Sequence, residues 1–204
     1  GTAAAADVGL PSATAASGDP VEPLDTGGPD AWGYIWEDSN MPAPTVPYFW
    51  NDISGTGTDS GLTGDDNYVT LSIGFNFDFY ENTYSDVSVS TNGVAMFGGG
   101  SAEYSNMPVP DANTPNNMIC AYWDDLCNPE AADSALYYET IGGAPNRAFV
   151  IQYNNWDYLG NAGSMYFQII LNETGEIWCI YDTFADNGGG TIGIENSDGS
   201  IGLE

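Results

Sequence analysis

The sequence predicts an all-β sandwich, jelly-roll-like and built as a single domain behind an extended N-terminal arm. Three observations predict it. Over residues 68–80, Leu71, Ile73, Phe75, Phe77 and Phe79 alternate with Thr70, Ser72, Gly74, Asn76 and Asp78, the period of a strand with one packed face. No ten-residue window carries a helical apolar stripe, while 26 glycines and 12 prolines punctuate the chain at short spacing. The hydrophobic fraction of 42% suffices for a real core, which rules out wholesale disorder.

Taken in order, the arm spans residues 1–30 and the sandwich residues 31–204. The arm is small and proline-interrupted, and only Val8, Leu10, Val21 and Leu24 offer apolar anchors. Alone it buries too little apolar area to offset its ordering entropy, so it orders only against a surface, its own domain's or a neighbouring subunit's. Strands are expected at 32–36, 48–53, 68–80 and 86–90. The last is closed by the turn Thr91-Asn92-Gly93 and followed by a returning strand at 94–97. Further strands are expected at 118–123, 136–141, 148–154, 164–171, 177–181 and 191–194, with a tight hairpin around Asn172-Glu173-Thr174-Gly175.

Charge narrows the function classes. Twenty-nine acidic residues face one basic residue, Arg147, for a formal net charge of -28, and histidine is absent. Nucleic acid and anionic membrane surfaces are excluded as partners, because no Lys/Arg footprint exists to meet phosphate. No run of eighteen apolar residues marks a membrane-spanning helix. The polar positions are filled by Asn, Thr, Ser, Gly and Asp, which reads as an extracellular or cell-surface protein. The chain begins at Gly1 without a basic or apolar leader, the form expected after export.

Catalysis is poorly supplied. Without His or Lys, Ser-His-Asp, Cys-His and Ser-Lys arrangements cannot be built. Gly98-Gly99-Gly100 and Gly188-Gly189-Gly190 are loop glycines with no following helix, so neither is a phosphate cradle. Only a carboxylate pair of the glycosidase type survives, and among 29 acids some pair meets that spacing by chance. The expectation is a non-enzyme that requires no cofactor.

Calcium is the one ion the residues suggest. Asp65-Asp66-Asn67, Asp124-Asp125 and Glu37-Asp38 sit at strand ends, where carboxylates and carbonyls converge on hard cations. The competing reading is solvated acids capping their own backbone. Cys120, Cys127 and Cys179 leave at least one thiol over. Cys127–Cys179 is the pairing expected in an exported chain, against three reduced thiols in a reducing source. Asn172-Glu173-Thr174 is an N-glycosylation pattern on the expected hairpin tip. Trp50, Trp156 and Tyr158 are the most loop-like aromatics for stacking on glycans, although aromatics in β proteins mostly fill cores.

Four segments carry a resemblance: Gly33-Tyr34-Ile35-Trp36-Glu37-Asp38-Ser39, Gly74-Phe75-Asn76-Phe77-Asp78-Phe79-Tyr80, Val87-Ser88-Val89-Ser90-Thr91-Asn92-Gly93, and Ile119-Cys120-Ala121-Tyr122-Trp123-Asp124-Asp125-Leu126. Together with the closing Gly193-Ile194-Glu195-Asn196, they resemble the extracellular nidogen-like module and related β-sandwich modules of secreted prokaryotic proteins. The resemblance covers about residues 31–204. It implies an extracellular module used in adhesion or assembly, with no catalytic residues to carry over.

The leading expectation is a structural subunit of an extracellular helical filament. It would polymerise head-to-tail with its own copies, the arm's Val8, Leu10, Val21 and Leu24 seated on the next sandwich. The alternative is a secreted, calcium-shaped module binding carbohydrate or a cell-surface partner.

Overall fold

The computed structural model describes residues 3–6, 26–39, 47–160, 164–185 and 188–204, all strand, turn and loop with no helix among them. The strands are β1 (Ala3–Ala6), β2 (Thr26–Gly27), β3 (Trp36–Glu37), β4 (Thr58–Asp59), β5 (Tyr68–Phe79), β6 (Asn82–Ser90), β7 (Val94–Met96) and β8 (Met118–Trp123). They continue with β9 (Leu126–Cys127), β10 (Ala135–Ile141), β11 (Ala148–Tyr158), β12 (Met165–Asn172), β13 (Ile177–Thr183), β14 (Thr191–Glu195) and β15 (Gly202–Leu203).

Two sheets form the sandwich. One has seven strands in the order β1-β13-β12-β11-β10-β4, with β9 also paired to β11; the other has six, in the order β15-β14-β8-β7-β6-β5. Strands β10–β13 in one sheet and β5–β8 in the other each run as a meander, sheet neighbours being neighbours in sequence. The alternation read from the sequence in β5 holds, with Leu71, Ile73, Phe75, Phe77 and Phe79 buried and their neighbours exposed. These side chains meet Phe149, Ile151, Tyr153, Phe167, Ile169 and Leu171 of the opposite sheet in the main core. Tyr153 and Phe167 stack with centroids 4.2 Å apart.

Polar tips of core aromatics stitch the two sheets together. The Tyr153 hydroxyl donates to the Ser90 carbonyl at 2.8 Å, Trp156 Nε1 donates to the Thr91 carbonyl at 2.8 Å, and the Tyr181 hydroxyl donates to the Ala121 carbonyl. Each bond gives a buried hydroxyl or indole N–H the acceptor that burial demands.

Part of each outer face is covered as well. Val150, Ile170 and Ile180 lie between the inward residues of β11, β12 and β13, and Ile53 and Trp50 close over them. Residues 48–53, expected as a strand, are therefore an irregular cover. The side chains of Gln152 and Gln168 replace a ladder here: Ile53 N–H donates to Gln152 Oε1 at 3.0 Å, and Gln168 Nε2 donates to the Asn51 carbonyl at 2.7 Å. On the other sheet Val94, Met96, Met118 and Cys120 are covered by Met107, Val109 and Trp123. Trp123 Nε1 ties this cover down by donating to the Glu103 carbonyl at 2.9 Å.

The expected strand at 32–36 shortens to Trp36–Glu37. Asp30 is the cause, because its Oδ1 accepts from the N–H groups of Trp32, Gly33 and Tyr34, a side-chain turn that competes with strand pairing. The sole cation, Arg147, closes the end of β12 and β13. It forms a two-pronged ion pair with Glu173, donates Nη1 to the Gly74 carbonyl at 2.8 Å and lies 5.2 Å from the Phe75 ring centroid.

Candidate functional site

Two features stand out, an acidic loop cluster and the edge at β13. The cluster is organised by the turn after β6. Gly93 has φ +75°, and a Cβ there would lie 2.1 Å from the Tyr122 carbonyl oxygen, so only glycine lets β8 approach this closely. Asn92 is fully buried beside it. Its Nδ2 donates to Asp66 Oδ1 at 3.1 Å and to the Ala102 carbonyl at 3.2 Å, while its Oδ1 accepts from Leu126 N–H at 2.9 Å. One amide thus fixes the loop before β5 against the loop after β8.

That clamp gathers Asp65, Asp66 and Asp125, which offer carboxylate oxygens all within 4.8 Å of one another. Opposite ligands on one calcium ion sit about 5 Å apart, twice the Ca–O distance, so the spacing suits a single hard cation. Burial and then the neighbouring Asp66 raise the Asp65 carboxyl above its ordinary value; burial and then Asp65, Asp66 and Asp124 do the same to Asp125. The Oδ1 of Asp125 is buried and accepts no hydrogen bond.

Of the four acids expected to bind calcium, Asp65, Asp66 and Asp125 come together and Asp124 stands outside the group. Asp124 Oδ1 instead accepts from the N–H of Asp125 at 2.8 Å, the backbone-capping role. The doublets were visible in the sequence. What sequence could not supply was the role of Asn92, whose buried amide ties Asp66 to the backbone of Leu126, next to the second doublet.

The expected Cys127–Cys179 bridge is not formed: Cys120, Cys127 and Cys179 are free thiols. β9, which carries Cys127, neighbours β11, so three strand spacings, about 14 Å, separate it from β13 and Cys179. A disulfide needs Cα atoms closer than about 7 Å. Asn172 lies at the β12–β13 hairpin as expected, half-buried, with Nδ2 donating to the Glu176 carbonyl at 3.2 Å. Trp156 and Tyr158 are buried on β11 and Trp50 is half-buried in an outer-face cluster, so none of the three is a free stacking platform.

The second feature is the side of β13 that faces away from β12. Ala3–Ala6 pairs parallel with it, in the register Ala3↔Ile177 to Ala6↔Ile180. Val8, Leu10, Val21 and Leu24 lie outside the described residues.

Residues 41–204 match the model of the family described as NIDO related. The chain belongs to this nidogen-related family. No curated protein and no solved structure matches it. Membership agrees with the resemblance read from the sequence motifs, and it carries the expectation of an extracellular domain.

Proposed function

We propose that this NIDO-related chain is a non-catalytic structural subunit of an extracellular filament, joined head-to-tail by strand addition at β13. The observation that carries the reading is the parallel pairing of Ala3–Ala6 with Ile177–Ile180. β13 is otherwise the edge of its sheet, a row of backbone groups that pairs readily with any extended segment. In strand addition of this kind main-chain hydrogen bonds supply the affinity. Nineteen residues, 7–25, separate β1 from β2. A connection of that length lets the same strand reach its own sandwich or a neighbour's, and exchange of an identical element is an inexpensive route to assembly. When the rotation between successive copies does not close, the product is an open helical polymer.

Electron microscopy of the purified full chain beside a chain lacking residues 1–30 tests this. Filaments from the first and folded monomers from the second are expected, with assembly blocked by adding a synthetic peptide of residues 1–30. A full chain that stays monomeric at every concentration, with the arm docked on its own sandwich, ends the filament reading.

The secreted-adhesion alternative shares the second element of the reading, calcium at Asp65, Asp66 and Asp125. The buried Asp125 Oδ1 without a donor favours it, since a cation would satisfy that oxygen and relieve the mutual repulsion of the three carboxylates. Calcium is expected to raise Tm in the wild type, a chelator to reverse the rise, and Asp125→Asn to abolish it. An equal rise in sodium chloride of matched ionic strength would instead mean simple screening of the -28 charge.

A further inference from the structure

The hairpin between β12 and β13 carries a motif that neither the sandwich core nor the two features above absorb. Among the asparagines only Asn172 has Thr or Ser two residues on with no proline between, the acceptor pattern for N-linked sugar. We propose that Asn172 is a glycosylation site, its side-chain nitrogen bonded to the first sugar of an oligosaccharide that lies on the outer face of the seven-stranded sheet. The proposal rests on the extracellular reading and is independent of polymerisation.

The turn presents the motif. Asn172 N–H donates to the Glu176 carbonyl at 2.9 Å and Gly175 N–H to the Asn172 carbonyl at 2.8 Å, a tight reversal in which Gly175 takes φ 102°. Thr174 is exposed at its tip, where a transferase can read the hydroxyl. That hydroxyl donates to the Glu176 carboxylate, a surface contact that water can replace. The tip is anchored from behind, because Glu173 N–H donates to the Arg147 carbonyl at 2.8 Å and the Glu173 carboxylate pairs with Arg147. An exposed loop on a rigid base is where function is commonly carried.

The chemistry replaces one amide hydrogen. The donor is an oligosaccharide activated at its first carbon as a phosphate or diphosphate ester. Asn172 Nδ2 forms the new C–N bond, the carbon–oxygen bond to phosphate breaks, and the phosphate leaves with the bonding pair. One amide proton passes to a base of the transferase. A side-chain amide nitrogen carries two hydrogens. One of them donates to the Glu176 carbonyl at 3.2 Å and the other is replaced, so the glycosylated side chain keeps the bond that holds it in place.

The face beside Asn172 suits a sugar. Asn172 pairs with Ala148 and Ala148 with Ile141, so the three side chains share one face of the sheet; Ile170, two residues back, places its partner Trp178 on that face too. Ile141, Ala148 and Trp178 are half-buried at the margin of the outer-face cluster, so apolar surface borders the amide. The C–H face of a pyranose lies against such surface, and the negative face of an aromatic ring attracts it. The site is remote from the acidic cluster. β11 starts at Ala148, beside Asn172, and meets Cys127, the bridge partner of Asp65, only at Asp157, about 30 Å away at roughly 3.3 Å per residue.

Mass spectrometry of the full chain, recovered from the surface or medium of its source organism, tests the site. The chain is expected to be heavier than its sequence predicts, with the added mass on the chymotryptic peptide that contains Asn172 and lost from it as sugar fragments. Thr174→Val, made at an exposed position and produced in the same organism, is expected to lose the added mass entirely. Thr174→Ser, which keeps a hydroxyl two residues on, is expected to retain it. Added mass at Asn172 that persists in Thr174→Val overturns the proposal. A chain found outside the cell with Asn172 unmodified overturns this inference alone, whereas a chain found only in the cytoplasm overturns the extracellular reading with it.

Discussion

Trp156→Ala is expected to destabilise the sandwich by about 3–5 kcal/mol, the usual cost of emptying a buried aromatic site. Trp156 is fully buried, sits edge-on to Tyr153 with centroids 5.3 Å apart, and donates to the Thr91 carbonyl across the sheet interface. Its removal opens a cavity between two sheets that cannot both collapse into it, and it leaves a buried carbonyl without its donor. Trp156→Phe separates the two contributions. It keeps most of the bulk and loses the hydrogen bond, for an expected cost of about 1–3 kcal/mol. Urea unfolding of the three proteins measures both differences; a loss under about 1 kcal/mol for the alanine variant would show that the sheets are not locked at this point. Because Thr91 begins the turn that carries Asn92, the alanine variant should also lose any calcium-dependent rise in Tm.

Trp156 also shows how far the sequence could be read. The alternation in β5 was legible because that strand has one face on the core and one in water, and its amino acids report the difference directly. β11 is different. The sequence reading ends this strand at residue 154 and places Trp156 in a loop. Instead the register with β12 shifts between Tyr153 and Trp156, and Asn155 takes φ 51°. A bulge continues the strand and returns Trp156 and Tyr158 to the buried side. Residues 48–53 mislead for another reason. Tyr48, Phe49, Trp50 and Ile53 have strand-like composition, but they face an outer sheet surface whose two buried glutamines already supply their hydrogen bonds. The acidic doublets were legible as candidates, whereas Asn92, which bonds Asp66 and the Leu126 N–H, was legible only as a turn residue, because its partners come from separate stretches joined by the fold.

Glu195→Gln is expected to stabilise the protein above neutral pH and to leave it unchanged in acid. Glu195 is fully buried on β14, with Oε2 accepting from Asp111 N–H at 2.9 Å. Burial, reinforced by the Asp111 charge, pushes its carboxyl from 4.5 up to about 7; Cys120 and Tyr80, which also feel its charge, remain neutral there. A raised carboxyl favours the protonated folded state. Below about pH 4.5 both states hold the proton and nothing is gained or lost. As pH rises from 4.5 to about 7 the unfolded chain releases its proton first, so stability falls, and above about 7 the whole difference is felt. That difference is about 3 kcal/mol, and glutamine, which is never charged and whose oxygen still accepts from Asp111, recovers up to that amount. The corresponding rise in Tm at alkaline pH is on the order of 5–10 °C. Glu173 has the opposite sign: Arg147 holds it down to about 2, so its contribution is present at neutral pH and lost only in strong acid. The wild-type stability maximum should therefore lie on the acid side of neutrality, and Glu195→Gln should move it upward. Tm curves for both proteins that run parallel from acid to alkaline pH would show that the buried carboxylate is solvated or paired when ionised.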